Sequence, residues 1–158
     1  MELPTFKFAL MEGLGSEFLP TRAHSTDTGW DVRSRSSFCL RAGQYAKIPL
    51  GFRMFAPPGW WLELRPRSSS FAKKHLNSLY GVIDEGYENE LILACDYLPD
   101  INAMGKDLRI EPGEAIGQII PVRREEMKVE MISNEEYEAL CQARKTSRGK
   151  GGFGSTGI

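Results

Sequence analysis

Soft metal ligands are scarce in this chain: two histidines, His24 and His75, and three cysteines, Cys39, Cys95 and Cys141, among 158 residues. The cysteines are far apart and form no Cys-x-x-Cys pair, so the sequence supports no zinc site. An odd number of scattered thiols also argues against a disulfide framework and for a reducing compartment. Excess charge is missing too. Twenty Lys and Arg against 21 Asp and Glu leave a net charge of −1, which excludes a general binder of nucleic acid or other polyanions. No apolar run approaches the roughly 20 residues of a membrane-spanning helix. Met1-Glu2-Leu3-Pro4 lacks the basic and apolar regions of a signal peptide. The expectation is one soluble, intracellular domain, long enough to bury a core.

What the chain does have is a series of short β-prone runs, at 6–10, 38–40, 45–48, 52–55, 60–64, 108–110, 115–122 and 128–132. Turn signals such as Ala42-Gly43, Pro57-Pro58-Gly59 and Glu111-Pro112-Gly113 separate several of them. Many short strands at regular spacing predict an all-β sandwich or jelly roll. Residues 13–28 read as a long polar connection, 68–75 as a helical turn or two, and 98–107 as irregular. Ser133-Asn134-Glu135-Glu136 has the form of a capping box. Tyr137, Leu140 and Cys141 follow at helical spacing, so one short helix is predicted over 134–143. From Thr146 the chain is rich in glycine and poor in apolar residues. That divides it into a β domain over 1–145 and a flexible arm over 146–158.

Five stretches carry candidate chemistry. In Gly81-Val82-Ile83-Asp84-Glu85-Gly86-Tyr87, two β-branched residues lead into a bend where Gly86 can take φ > 0. With 90–95 as the returning strand, this predicts a β-hairpin bearing Asp84 at the end of its first strand. An Asp that caps its own turn accounts for Asp84; so does a general base on a rigid scaffold, with Tyr87 as an aromatic wall. Pro66-Arg67-Ser68-Ser69 offers a cation and two hydroxyls, or simply a capped helix start. Gln118, after Gly117 in an apolar strand, needs partners if buried, or lies outward on an edge. Asp31, in Thr28-Gly29-Trp30-Asp31-Val32, is an acid between apolar neighbours or an ordinary surface-turn acid. In the tail, glycines could turn N–H groups toward one anion. Arg148 could fork onto a phosphate, Ser155 and Thr156 could add hydroxyls, and Phe153 could stack on a base; a plain disordered end is the alternative.

In chain order, 28–32, 66–69, 81–87, 117–118 and 148–157, these five stretches, with 17 residues from Arg67 to Asp84, resemble the five motifs of the trimeric dUTPase family, from about Phe6 to Gly157. The resemblance implies a distorted jelly roll and a homotrimer with active sites at subunit interfaces. It implies Mg²⁺-dependent hydrolysis of dUTP to dUMP and pyrophosphate. Asp84 would activate water against the α-phosphorus, and Asp31 would hold Mg²⁺ through water. Arg67, Ser68 and Ser69 would grip the α- and β-phosphates, and Gln118 the α-phosphate. The backbone of Gly81, Val82 and Ile83 would read the uracil edge, while Tyr87 would pack on the deoxyribose. Arg148, Phe153, Gly154, Ser155 and Thr156 would close as a lid. The setting implied is the cytoplasm or nucleus of a cell or a virus-infected host.

The chain departs from the family around the base. Glu88-Asn89 follows Tyr87 where Arg-Gly is usual, and Asn89 would have to supply φ > 0. Cys95-Asp96-Tyr97 stands where Asn is frequent, and Tyr80 is bulky. The related dCTP deaminases place a catalytic acid where this chain has Ala94. Other readings are a triphosphatase acting on dCTP or a modified base, and a regulatory binding protein of the same fold. The helix over 134–143 looks like an insertion.

Overall fold

Alternation of buried and exposed residues sets the strands, as their period of two requires. The computed structural model describes residues 3–144 and 149. Within the unit Met1–Glu125 the strands are β1 (Lys7–Leu10), β2 (Trp30–Arg33), β3 (Phe38–Leu40), β4 (Tyr45–Pro49), β5 (Phe52–Phe55), β6 (Trp60–Pro66), β7 (Leu76–Ser78), β8 (Gly81–Ile83), β9 (Ile92–Tyr97), β10 (Leu108–Ile110) and β11 (Ala115–Arg123). One short helix, α1 (Ser68–Ala72), interrupts them. The strands pair as a four-stranded sheet, β2-β11-β6-β8, a three-stranded sheet, β4-β9-β7, and two ribbons, β1-β5 and β10-β3. All pairings are antiparallel.

Inward residues of these layers make one core. Val32, Leu62, Leu64 and Ile119 come from the larger sheet, Ala46, Ile48, Leu93 and Cys95 from the smaller, and Phe52 and Met54 from β5. Gly117 marks where the layers press together. A Cβ there would lie 3.2 Å from both the Arg65 carbonyl oxygen and Val32 Cγ2, and 3.6 Å from Leu93 Cδ2. The fold is thus all-β and jelly-roll-like, as the spacing of β-prone runs predicts.

Three local expectations fail. The 81–95 hairpin does not form: β8 pairs with β6, whereas β9 pairs with β4 and β7 in the other sheet. Leu91 is fully buried and exchanges backbone hydrogen bonds with Leu50 and Phe52, which carries the chain away from β8. The bend is closed by the Tyr87 N–H donating to the Asp84 carbonyl at 3.0 Å. Neither Gly86 nor Asn89 is among the residues at positive φ, so the turn needs no left-handed residue there. The third failure is 128–132, which is not a strand. Its alternation is real, with Met127, Val129 and Met131 at 84%, 87% and 96% exposure, but a strand exists only against a hydrogen-bonded neighbour.

In the unit Glu126–Ile158, α2 runs Asn134–Arg144. The Ser133 hydroxyl accepts the Glu136 N–H at 3.1 Å, the bond a capping residue makes. No residue of α2 is buried. Among the described residues, no helix is long and apolar enough to cross a membrane.

Candidate active site

Gln118 is the central residue of a polar pocket. It lies opposite Asp31 on β2 and Arg65 on β6. A register shift between Ala115 and Gly117 precedes it. Ile116, in that irregularity, offers its carbonyl to the buried Ser70 hydroxyl at 2.7 Å, which ties α1 to β11. The Gln118 amide donates to the Pro66 carbonyl at 3.0 Å, so it is satisfied and oriented. Its other face rests on Gly29: a Cβ there would overlap Gln118 Oε1 and come within 2.9 Å of Cδ. The glycine of the first motif and the glutamine of the fourth are therefore one packing unit.

Arg67 caps the start of α1 with its backbone extended and no side-chain cap. Its Nε donates to Asp31 Oδ1 at 2.9 Å, the side chains being 37% and 27% exposed. Because that bond uses Nε, both terminal guanidinium nitrogens stay available to fork onto an anion. Asp31, Arg67, Ser68 and Gln118 line a cavity of about 330 Å³ together with Arg22, Asp27, Thr28 and Gly29. Ser69 is half-buried and outside this lining. Arg22 is a second cation of the site that sequence reasoning missed, because it lies in the polar connection. Bonds between Thr21 and Asp31, at 2.7 and 3.2 Å, fold that connection back along β2. The Arg22 guanidinium stacks 4.4 Å from the Trp30 ring centroid.

Asp84 lies elsewhere. Ile83 is opposite Leu62 on β6, so Asp84 neighbours Trp61 while Arg67 follows the far end of the same strand. Six residues at 3.3 Å each separate them by about 20 Å. Asp84 shares a cavity of about 380 Å³ with Trp60, Trp61, Val82, Glu85, Gly86 and Arg124. Among the described residues its carboxylate has no hydrogen-bond or ion-pair partner, so it is not spent on capping the turn. Tyr87 packs against the core and its hydroxyl donates to the Glu90 carbonyl at 3.2 Å. β8 is the edge of its sheet, with Val82 64% exposed. With the hairpin lost, no described strand pairs with the outer edge of β8 along Gly81, Val82 and Ile83.

A third cavity, of about 550 Å³, is lined by Tyr45, Ser78, Tyr80, Ala94, Cys95 and Asp96 among others. Among the described residues the buried Ser78 hydroxyl has no hydrogen-bond partner there, a group sequence reasoning did not single out. Of the residues that depart from the family pattern, Tyr80, Cys95 and Asp96 line this cavity. Tyr97 is buried in the core, its hydroxyl on the Lys106 carbonyl at 3.1 Å, and Glu88 is exposed. Arg148, Phe153, Gly154, Ser155 and Thr156 lie outside the described residues.

Taken together, the β-scaffold carries a polar pocket where the Arg22 and Arg67 cations, the Asp27 and Asp31 carboxylates, the Ser68 hydroxyl and the Gln118 amide converge, and the Asp84 carboxylate stands apart from it. Guanidinium, hydroxyl and amide donors converging in this way define a class of site suited to a phosphorylated ligand. The dUTPase family model matches residues 17–157, and the chain belongs to the dUTPase family. The deoxyuridine 5'-triphosphate nucleotidohydrolase of Clostridium acetobutylicum is 35% identical over 144 residues, covering 89% of each chain. The Pol polyprotein of ovine maedi visna related virus is 34% identical over 143 residues, 90% of this chain, and the chain spans 12% of that polyprotein. Among solved structures, the G164S dUTPase of Staphylococcus bacteriophage 80alpha with dUpNHpp superposes with a TM-score of 0.79 at 25% identity. That match covers 98% of this chain and 99% of the phage one.

Proposed function

We propose that the chain hydrolyses dUTP to dUMP and pyrophosphate as a homotrimer, with each active site shared between copies. The observation that carries this reading is the meeting of Asp31, Arg67, Ser68 and Gln118, from three separate motifs, in one polar pocket. Arg67 forks onto the phosphates through the nitrogens Asp31 leaves unused. Gln118 and the hydroxyls of Ser68 and Ser69 supply neutral donors. Asp84 takes a proton from the water that attacks the α-phosphorus. At about 20 Å from Arg67 along β6, it cannot serve the pocket of its own chain, so a neighbouring copy supplies one or the other.

Among the described residues no three His, Cys, Asp or Glu gather to cage a metal. Asp31 is already paired with Arg67, and Asp27 is a second carboxylate lining the same cavity. Such a donor set fits Mg²⁺ carried by phosphate oxygens and water, with Asp31 meeting the water shell. When bound there, Mg²⁺ neutralises charge developing on the phosphates. The open edge of β8 supports base reading by backbone groups of Gly81, Val82 and Ile83, with Tyr87 beside the sugar. Arg148, Phe153, Gly154, Ser155 and Thr156 close over the phosphates and exclude water.

The test is pyrophosphate release from dUTP, dCTP, dTTP and UTP by wild type and Asp84→Asn. The reading expects dUTP to lead dCTP by orders of magnitude in kcat/KM. It expects Asp84→Asn to bind dUTP yet lose about 10²–10⁴ in kcat. Comparable rates on dCTP would overturn the uracil assignment and point to Asp96 as an acceptor for the cytosine amino group. Near wild-type turnover by Asp84→Asn would overturn the mechanism.

A further inference from the structure

We propose that Glu85 and Arg124 form an ion pair that positions Asp84 and fixes its strength as a base; the inference rests on the reading of Asp84 as the proton acceptor. Glu85 follows Asp84 directly, and its Oε2 accepts both the Gly59 N–H and Arg124 Nη1, each at 2.9 Å. The Arg124 N–H donates in turn to the Gly59 carbonyl at 2.8 Å. Gly59 sits at φ +78°, a conformation that turns its N–H and C=O to these two partners at little cost. The turn before β6, the end of β11 and the Asp84 turn are thereby closed into one ring of three hydrogen bonds. None of these contacts involves the phosphate pocket or the exposed edge of β8.

The ring has an electrostatic consequence. Asp84 shares its cavity with Trp60, Trp61 and the Glu85–Arg124 pair. The flanking strands add Arg123, opposite Trp60 on β11, and Glu63, opposite Val82 on β6; Glu63 is itself paired with Arg65 at 2.7 Å. With the pair intact, the Glu85 and Arg124 charges beside Asp84 offset one another. Removing the anion tips the local balance toward the Arg124 cation, which favours the carboxylate and weakens the base. Removing the cation leaves Glu85 beside it, which favours the protonated form. The pair is partly exposed, 53% for Arg124 and 33% for Glu85, so the effects are moderate.

The experiment is the pH dependence of kcat on dUTP for Glu85→Gln, Arg124→Gln and the double variant, with melting temperatures measured alongside. Glu85→Gln keeps an acceptor for Gly59 and should move the acid limb down by roughly 0.3–0.8 pH unit. Arg124→Gln should move it up by a similar amount, and the double variant should return it close to wild type. Glu85→Ala, which also opens the ring, should lower kcat about tenfold with KM within about twofold. Opposite shifts that cancel are not produced by a merely structural bolt. Limbs that stay put, or move in the same direction in both single variants, would overturn the proposal even where melting temperatures fall. A wild type without dUTP turnover would instead remove the reading beneath it.

Discussion

Mixing two inactive variants should restore activity if Asp84 and Arg67 serve one site from different copies. Asp84→Asn alone should lose about 10²–10⁴ in kcat, and Arg67→Ala about 10²–10³ through lost phosphate stabilisation. Along β6 the two positions lie about 20 Å apart, too far for a water attacking a phosphorus that Arg67 holds. Consider differently tagged variants, co-refolded at equal concentration and assembling at random. A working site then needs Asp84 from a copy of the Arg67→Ala chain and Arg67 from a neighbouring copy of the Asp84→Asn chain. Each condition is met half the time, so about a quarter of sites should work. The assay is steady-state pyrophosphate release by the whole co-refolded population, against each parent refolded alone, with the tags showing that mixed trimers are present. Arg67→Ala leaves Asp31 without its partner, so melting temperature and oligomer mass must be matched first. Recovery near a quarter supports the shared site; recovery no greater than the parents' average, with mixed trimers demonstrably present, refutes the reasoning.

Gly29→Ala should fold yet evict the Gln118 amide, because the new methyl overlaps it. Losing the bond to the Pro66 carbonyl should weaken nucleotide binding by about 1–2 kcal/mol, read as a KM roughly 5–30 times higher by titration calorimetry and kinetics. Truncation after Ser147 should collapse turnover with melting temperature unchanged; an unaltered rate would end the lid reading. Cys39 and Cys141 are exposed and Cys95 is buried, so a thiol reagent should label two sites fast and the third only on unfolding. Burial, with the Asp96 charge, pushes the Cys95 thiol from 9.0 up to about 11. Stability from this group is complete below pH 9.0 and is lost as pH rises through about 11, which denaturant titration between those values measures. At the acid end, partial burial raises the Glu114 carboxyl, but its bonds to Lys74 and the Glu111 N–H and the Lys74 charge outweigh this and hold it below 4.5. Its stabilisation is present above that value and lost as pH falls through the folded-state pKa, a loss that Glu114→Gln should abolish.

The strands were legible because each has its own alternation and its own turn. Leu62 and Leu64 face inward on β6 for the same reason they are spaced by two, and Gly59 breaks the chain just before them at φ +78°. Partner choice was not legible. Val82-Ile83 and the run ending at Cys95 look like the two arms of one hairpin, yet they belong to different sheets because Leu91 is drawn into the core against Phe52. Residues 128–132 show the same gap from the other side, since alternation alone does not make a strand without a hydrogen-bonded neighbour.

The candidate site divides along that line. Gln118, Asp31 and Arg67 could be chosen from sequence because their residue types are odd for their surroundings: an amide in an apolar strand, an acid between apolar neighbours, a cation at a proline-set helix start. That Gly29 is the floor under Gln118 could not be chosen, since it depends on the register of β11 against β2. Arg22 and Glu85 were hidden for a related reason. Each is a charged residue in a polar stretch, which composition treats as solvated surface. What distinguishes them is a particular partner, the Trp30 ring for one and the Gly59 N–H for the other, and a partner is a property of the fold. Motif residues recognise chemistry; the residues that hold them in place are read from their contacts.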